Sequence, residues 1–424
     1  MPAGSLLRRH RDFRLLWFGE TVSELGTSVS LVALPLVAVL TLHASTFQVA
    51  ALSAVETVGW PLLGLPVGVW VDRWPRRPVL IVTDVGRGIA LATVPIAAAL
   101  GVLTLVQLYA VALVTGVLSI FFSVAYPAYL PSLIESSELT EGNAALGASG
   151  SAAQVTGPAL GGVLVQTFGA VYAVLADVVS FGVSSAAVLS IRKGESPPPR
   201  EGRSMRRELG YGVRFLARHR IMRVLIAAAG TFNLFLTGMQ ALTVVFLVRT
   251  VRVQSATVGL LFAVGSVGGL VGALLAKRLI HRLGDARAMV IAASLGPTSM
   301  LLLPLTHRGA GLAFFCVGMF IGTGSVAVFN VIAGTYRAQE SAPNILGRVV
   351  AANRMVTWGV MPIGAISAGW MAATLGVRTA LWILAAGTAL TPIWLLLAGI
   401  AGSRDLPHHG HEPTAVGNVE SARH

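Results

Sequence analysis

Five carboxylates stand inside runs of apolar residues: Glu20, Glu24, Glu56, Asp84 and Asp177. An acid at the centre of a hydrocarbon layer costs about 2.5–3.5 kcal/mol on insertion scales, so it needs water, a cation or a proton. Glu20 and Glu24 are one helical turn apart and share a face with Thr27 and Ser28, which makes a polar stripe. Glu56 falls near the middle of the next apolar run. The chemistry open to these groups is binding and release of protons, and the candidates for it are Glu24, Glu56, Glu20 and Asp177. Glu20 lies close to Arg14, so a surface carboxylate is an equal alternative there. Asp84 and Arg87 read as a structural ion pair near a membrane surface. The later runs hold no acid, only Asn233, Gln240 and Asn330, so a proton route is expected in the first half of the chain.

The elements that hold these groups are long apolar helices. Hydrophobic residues make up 54% of the 424 positions and charged residues 12%, with a mean hydropathy of +0.75. Soluble domains carry roughly a quarter charged residues, which excludes that class. A spanning helix needs about 20 mostly apolar residues. That ruler finds twelve runs, from 15–40 and 47–71 through 146–167, 171–191 and 222–247 to 379–401. They divide into an N-terminal half of six helices (1–191), a charged cytoplasmic linker (192–221), a C-terminal half of six (222–401) and a disordered cytoplasmic tail (402–424).

With the N-terminus inside, all but four of the 31 basic residues fall in cytoplasmic segments; the exceptions are Arg249, Arg252, Arg308 and Arg378. Both termini are therefore expected in the cytoplasm, the protein in the inner membrane, and the first helix retained because no cleavage site follows it. A net charge of +13 would raise nucleic acid in a soluble domain. Here the cations sit between apolar runs, so nucleic acid is excluded. Cys316 is the sole cysteine and reads as a small packing residue. His408, His409 and His411 lack ligand partners at fixed spacing, and no metal or cofactor is expected. A nucleophile and base pair or a nucleotide loop is missing, against an enzyme; extramembrane segments are too short for a receptor domain.

Two motifs sharpen this. Gly68 precedes Asp72, Arg73, Arg76 and Arg77 in the hairpin after the second run, a glycine suited to helix approach followed by an acid and cations. Gly157-Pro158 and Gly161-Gly162 lie in the fifth run, where glycines allow backbones to meet. Gly157, Gly162 and Gly169 recur at a constant offset as Gly364, Gly369 and Gly376, and Gly68 recurs as Gly272. Duplicated halves place a substrate site between them near the midplane.

The hairpin resembles motif A of the major facilitator superfamily, with Pro75 where that family usually has glycine, and the fifth run resembles its motif C, typical of antiporters. With Tyr126-Pro127, Asn143, Asp177, Ser180 and Leu346-Gly347-Arg348, residues 10–400 are similar to the drug:proton antiporters that include macrolide efflux proteins and the enterobactin exporter. The resemblance implies an all-α fold of twelve transmembrane helices in two six-helix halves. It also implies a monomer that exports a hydrophobic or amphiphilic small molecule in exchange for protons, with an importer or uniporter as the rival. Carried onto this chain, Asp72 faces Arg348 in a cytoplasmic gate, Arg73 and Arg77 meet Glu135 or Glu138, and Asp177 lies on a peripheral helix. Candidates to line a pocket for a bulky amphiphile are Phe121, Phe122 and Tyr126 of the fourth helix and Phe232, Asn233, Phe235, Met239 and Gln240 of the seventh, with Asn330.

Overall fold

The computed structural model describes residues 4–195, 214, 216–341 and 346–407. The linker prolines and arginines at 196–207, Pro343, the side chain of Arg348 and the tail histidines lie outside the described residues. The described chain is helical, and no strand occurs in it.

The N-terminal spans are α1 (Arg11–Leu36), α2 (Thr46–Thr57) with α3 (Gly59–Arg73), α4 (Arg76–Ala99), α5 (Leu105–Leu133), α6 (Leu139–Phe168) and α7 (Leu175–Leu189). The C-terminal spans are α8 (Arg220–Val245), α9 (Ser255–Leu283), α10 (Asp285–Ser299), α11 (Leu312–Glu340), α12 (Leu346–Gly359) with α13 (Met361–Leu375), and α14 (Val377–Thr388) with α15 (Thr391–Leu397). Local chemistry sets the ends. Ser45 and Gln48 form a reciprocal capping box at α2, and Thr104 accepts from the Gln107 N–H at α5. The second span, read as one helix, is bent by 61° between Gly64 and Pro66, where proline removes a backbone donor.

Among the described residues, ten helices are long and apolar enough to cross a membrane, and the bent pair makes an eleventh. The twelfth is α6, 30 residues long. Its glycines, serines and alanines lower its hydropathy because it packs against other helices over most of its length.

The repeat seen in the glycines extends to backbone detail. α1 and α8 both unwind into π-helical turns, Val37–Thr41 and Phe246–Val251. Each is followed by a non-glycine residue with positive φ, His43 at 49° and Arg252 at 60°. Gly169 and Gly376 end α6 and α13 with the same φ of 86°, where a side chain would be strained. His10 and His219 precede α1 and α8, and they face Glu138 and Glu340 at 3.2 and 3.3 Å.

Apolar packing is not the same at the two ends of the bundle. At the end away from the termini, one core runs through both halves, from Val32 and Leu36 to Leu242, Ala368 and Leu384. At the terminal face there are two cores, one from Leu6 to Ile191 and the other from Leu216 to Leu406. Hydrogen bonds across the halves reinforce the shared core: Arg249 donates to the Ala44 carbonyl at 2.7 Å, and Gln166 accepts from the Ala256 N–H at 3.1 Å. The halves are thus joined at one end and split into separate cores at the other.

Candidate functional site

The helix α1 carries two adjacent stripes. Gly19, Ser23, Gly26 and Ser30 are buried and face α7. A Cβ on Gly26 would meet Ser180 and the Asp177 carboxylate, and one on Gly19 would lie 3.0 Å from Ala187 Cβ. Small residues here let α1 and α7 meet backbone to backbone. One position further round, Glu20 and Glu24 are half-buried.

α4 brings the counter-charge. Arg87 donates to Asp84 and, at 3.5 Å, to Ser119 Oγ. Its guanidinium lies over the rings of Phe122 and Phe181, 4.4 and 4.3 Å from their centroids. This corrects the surface placement expected for the pair: Asp84 is 0% and Arg87 5% exposed, eight or more residues inside α4. Glu20, Glu24 and Asp177 all lie within electrostatic reach of Arg87. Asp177 accepts from Ser180 Oγ at 3.1 Å and is 2% exposed, so α7 contributes to the interior of this half at that point. Tyr126 stacks on Phe122 at 5.7 Å, and its hydroxyl, unpaired among the described residues, lies near Glu20 and Glu24. Four carboxylates around one guanidinium are more acid than the counter-charge can neutralise, the composition that a proton-carrying site needs.

Glu56 stands apart from this cluster. Its side chain is solvent-accessible yet surrounded by protein, the combination found in a residue lining an internal space, and no charged neighbour acts on it.

The charged hairpin has partners other than those expected. Arg76 pairs with Glu195 at 3.2 Å, and the Arg77 N–H donates to the same carboxylate. The Arg77 guanidinium donates to the Val188 and Leu189 carbonyls at 3.2 and 2.8 Å, capping the end of α7. Glu138 instead takes His10 and Arg9. Asp72 and Arg73 are exposed, and among the described residues nothing lies within 4 Å of a Cβ built on Gly68, so none of them makes a close helix approach there. Phe121 stacks with Trp70 and Trp74 beside the hairpin rather than lining a pocket.

The glycines of α6 do form close approaches. A Cβ on Gly161 would lie 2.9 Å from the Val29 carbonyl of α1, and one on Gly162 2.9 Å from Gly259 Cα of α9 in the other half. Gly157 meets Ser28, and Pro158 presents its carbonyl to Gly259. The related Gly369 of α13 meets Phe47 and Ala50 of α2. These crossings are part of the shared seal. Gly259→Val is expected to cost about 1–3 kcal/mol by overpacking, which favours the arrangement open at this end by roughly five- to 150-fold. Cysteines replacing Gln166 and Gln254, in a Cys316→Ala background, report it by cross-linking yield. An undiminished yield removes the crossing from the seal.

The C-terminal half holds a cavity of about 310 Å³ lined by residues of α8, α10, α11, α12 and α15. It brings together Phe232, Asn233 and Asn330, and Asn233 donates to the Thr357 carbonyl at 3.0 Å. The remaining candidates of α8 lie elsewhere. Phe235 packs on Gly387, Met239 is 1% exposed within the shared core, and Gln240 is exposed outside the cavity lining. Met239 and Gln240 stand two turns further along the same face of α8 as Phe232 and Asn233, past the end of the cavity, whereas Phe235 stands about 60° round the helix from Phe232. Sequence reading missed Arg337 and Arg354, which line the pocket; near helix ends they look like topology signals. A second groove, about 200 Å³ between α9, α10 and α11, is apolar in its lining but for Ser325, and no titratable group lines it among the described residues.

The fold and these two sites define a multi-pass membrane transporter of the major facilitator type, not an enzyme. The chain belongs to the family described as transmembrane secretion effectors, which it matches over residues 6–409. It is 27% identical over 373 residues to the multidrug efflux pump Tap of Mycobacterium tuberculosis, covering 84% of this chain and 85% of that one. It is 25% identical over 351 residues to the enterobactin exporter EntS of Escherichia coli, covering 81% of each. Among solved structures, a bacterial homologue of the iron transporter ferroportin in an inward-facing state superposes with a TM-score of 0.73 at 17% identity, covering 92% of this chain and 98% of that one. The nucleoside transporter NupG superposes with a TM-score of 0.71 at 13% identity, covering 92% and 99%.

Proposed function

We propose that this protein exports a hydrophobic or amphiphilic small molecule across the inner membrane, both termini cytoplasmic, by exchanging it for protons. The observation that carries the reading is the set of Glu20, Glu24, Asp84 and Asp177, two half-buried and two buried, around Arg87 in the N-terminal half. A transporter driven by protons needs acids that exchange them with one face at a time. The halves, 1–191 and 222–401, act as the two moving bodies, with the linker between them. The end sealed by the shared core is then the outer end, and the terminal face, where the cores separate, is the cytoplasmic one. Asp72 is the gate residue that draws the cytoplasmic ends together when the outer end opens, with Arg348 as its partner and Gly68 as the point of approach. Export rather than import is supported by the relatives' own activities and by the antiporter-type glycines of α6.

The test is an efflux-deficient bacterial host expressing the chain and exposed to a panel of drugs and metabolites. The expected result is an increase of about fourfold or more in tolerance to at least one compound, with lowered cellular accumulation that a protonophore restores. Raised accumulation instead would mark an importer, and an accumulation unmoved by the protonophore would remove proton exchange.

A further inference from the structure

Two like charges meet in the lining of the C-terminal pocket. Arg337, less than one turn from the end of α11, and Arg354, in α12, act on one another electrostatically. Among the described residues, Arg337 has one polar partner, Asn353 Oδ1 at 3.4 Å, and Arg354 has none. The Arg354 guanidinium lies 5.3 Å from the Trp358 ring. Among the described residues, no Asp or Glu lines the cavity. Arg337 is half-buried and Arg354 exposed, so both guanidinium groups open on the cavity with donors free to meet a solute that enters it. The rest of the lining is of another kind: Phe232, Phe329 and Trp358 offer apolar and aromatic surface.

We propose that this pocket binds the acidic group of the transported molecule, a carboxylate, sulfonate or phosphate on an apolar body, so that the substrates are anionic amphiphiles. This identification of the substrate class rests on the export reading. Guanidinium groups donate in a planar fork that matches such oxyanions, and the aromatic side chains take the body. The volume lies at the small end of ligand cavities, which suits one or two fused rings. Charge separates the two ligands of the cycle. The acids of α1, α4 and α7 repel an anion and hold protons in the N-terminal half, while the arginines hold the anion in the other.

Two fluorescent probes that differ by one sulfonate test it: 8-anilinonaphthalene-1-sulfonate and the neutral N-phenyl-1-naphthylamine. Full-length protein in phosphatidylcholine nanodiscs is titrated with each, reading energy transfer from tryptophan, with empty nanodiscs subtracted. The wild type is expected to bind the sulfonate about tenfold more tightly than the neutral probe. Arg337→Gln and Arg354→Gln each remove most of that preference and change neutral binding less than about twofold, while Arg354→Lys, which keeps the charge but loses the planar fork, keeps only part of it. Equal binding of both probes by the wild type overturns the proposal without recourse to any variant, as does a preference that survives both glutamine substitutions. Nanodiscs containing phosphatidylglycerol separate the two sources of an oxyanion. Unchanged sulfonate affinity supports a transported solute, and a marked loss assigns the arginines to a lipid headgroup and overturns the substrate assignment. Efflux of only neutral or cationic compounds in the host panel overturns the anion assignment and leaves export intact. A sulfonate preference with no efflux of any compound upholds the site and overturns export.

Discussion

Glu24→Gln is expected to abolish pH-driven transport in proteoliposomes, with flux falling to that of liposomes without protein. Glutamine keeps the size and the hydrogen bonding of the side chain but exchanges no proton. Glu24 and Glu20 stand one turn apart on α1, both within reach of Arg87, so a proton lost from one is felt by the other. Glu20→Gln is expected to be nearly as severe. Glu56 has no charged neighbour, and Glu56→Gln is expected to retain a response to the gradient. The direction follows from exchange: acid imposed at the outer end drives substrate towards that acid side, and reversing the gradient reverses the flow. Binding of substrate without a gradient should survive in every variant. If Glu20→Gln, Glu24→Gln and the double variant all follow the gradient like the wild type, the proton does not pass through α1, and Asp177 is the next group to test.

Removing Arg87 is expected to destabilise the protein more than any other single change at this site. Arg87→Met leaves Asp84, which has no exposed surface, as an uncompensated buried charge, a loss of about 3–5 kcal/mol. It also removes the cation held over Phe122 and Phe181. The double variant Asp84→Asn/Arg87→Met removes both charges and should recover most of the thermal stability measured in detergent, since the pair interacts directly. It should not recover pH-driven transport, because Glu20 and Glu24 then face each other without the cation. Arg87→Lys keeps the charge but loses the planar group between the rings, and an intermediate stability is expected. A single Arg87→Met variant as stable as the wild type would show that the pair does not hold α4 in place.

Much of this arrangement is legible in the residues alone. Segment lengths, and the bias of Arg and Lys to alternate loops, are linear properties of the chain. They follow from the thickness of the hydrocarbon layer and the cost of moving cations through it. The glycines that recur between Gly157–Gly169 and Gly364–Gly376 carry the duplication for a similar reason: a crossing point or a positive φ tolerates little else. The acids of the first half stand out because apolar runs make any carboxylate conspicuous.

What the residues could not reveal is which charges face one another. Asp84 and Arg87 look like a surface pair by distance from a charged loop, and only the packing of α1, α4 and α7 makes Arg87, among the described residues, the cation that four acids share. Arg77 has two plausible acids in the next cytoplasmic loop, Glu135 and Glu138, yet it caps α7, because the hairpin lies against that helix end. Met239 and Phe232 share one face of α8, yet their depth in the bundle sends the first into the shared core and the second to the cavity, while Phe235, on a neighbouring face, packs on Gly387. Arg337 and Arg354 are indistinguishable in sequence from residues that merely fix topology. Composition and spacing therefore determined the membrane fold, its duplication and the half that holds the acids. The partner of each charge was decided by helix phase and tilt, because the same side chain is a surface anchor, an ion-pair partner or a ligand donor according to which neighbour its face of the helix meets.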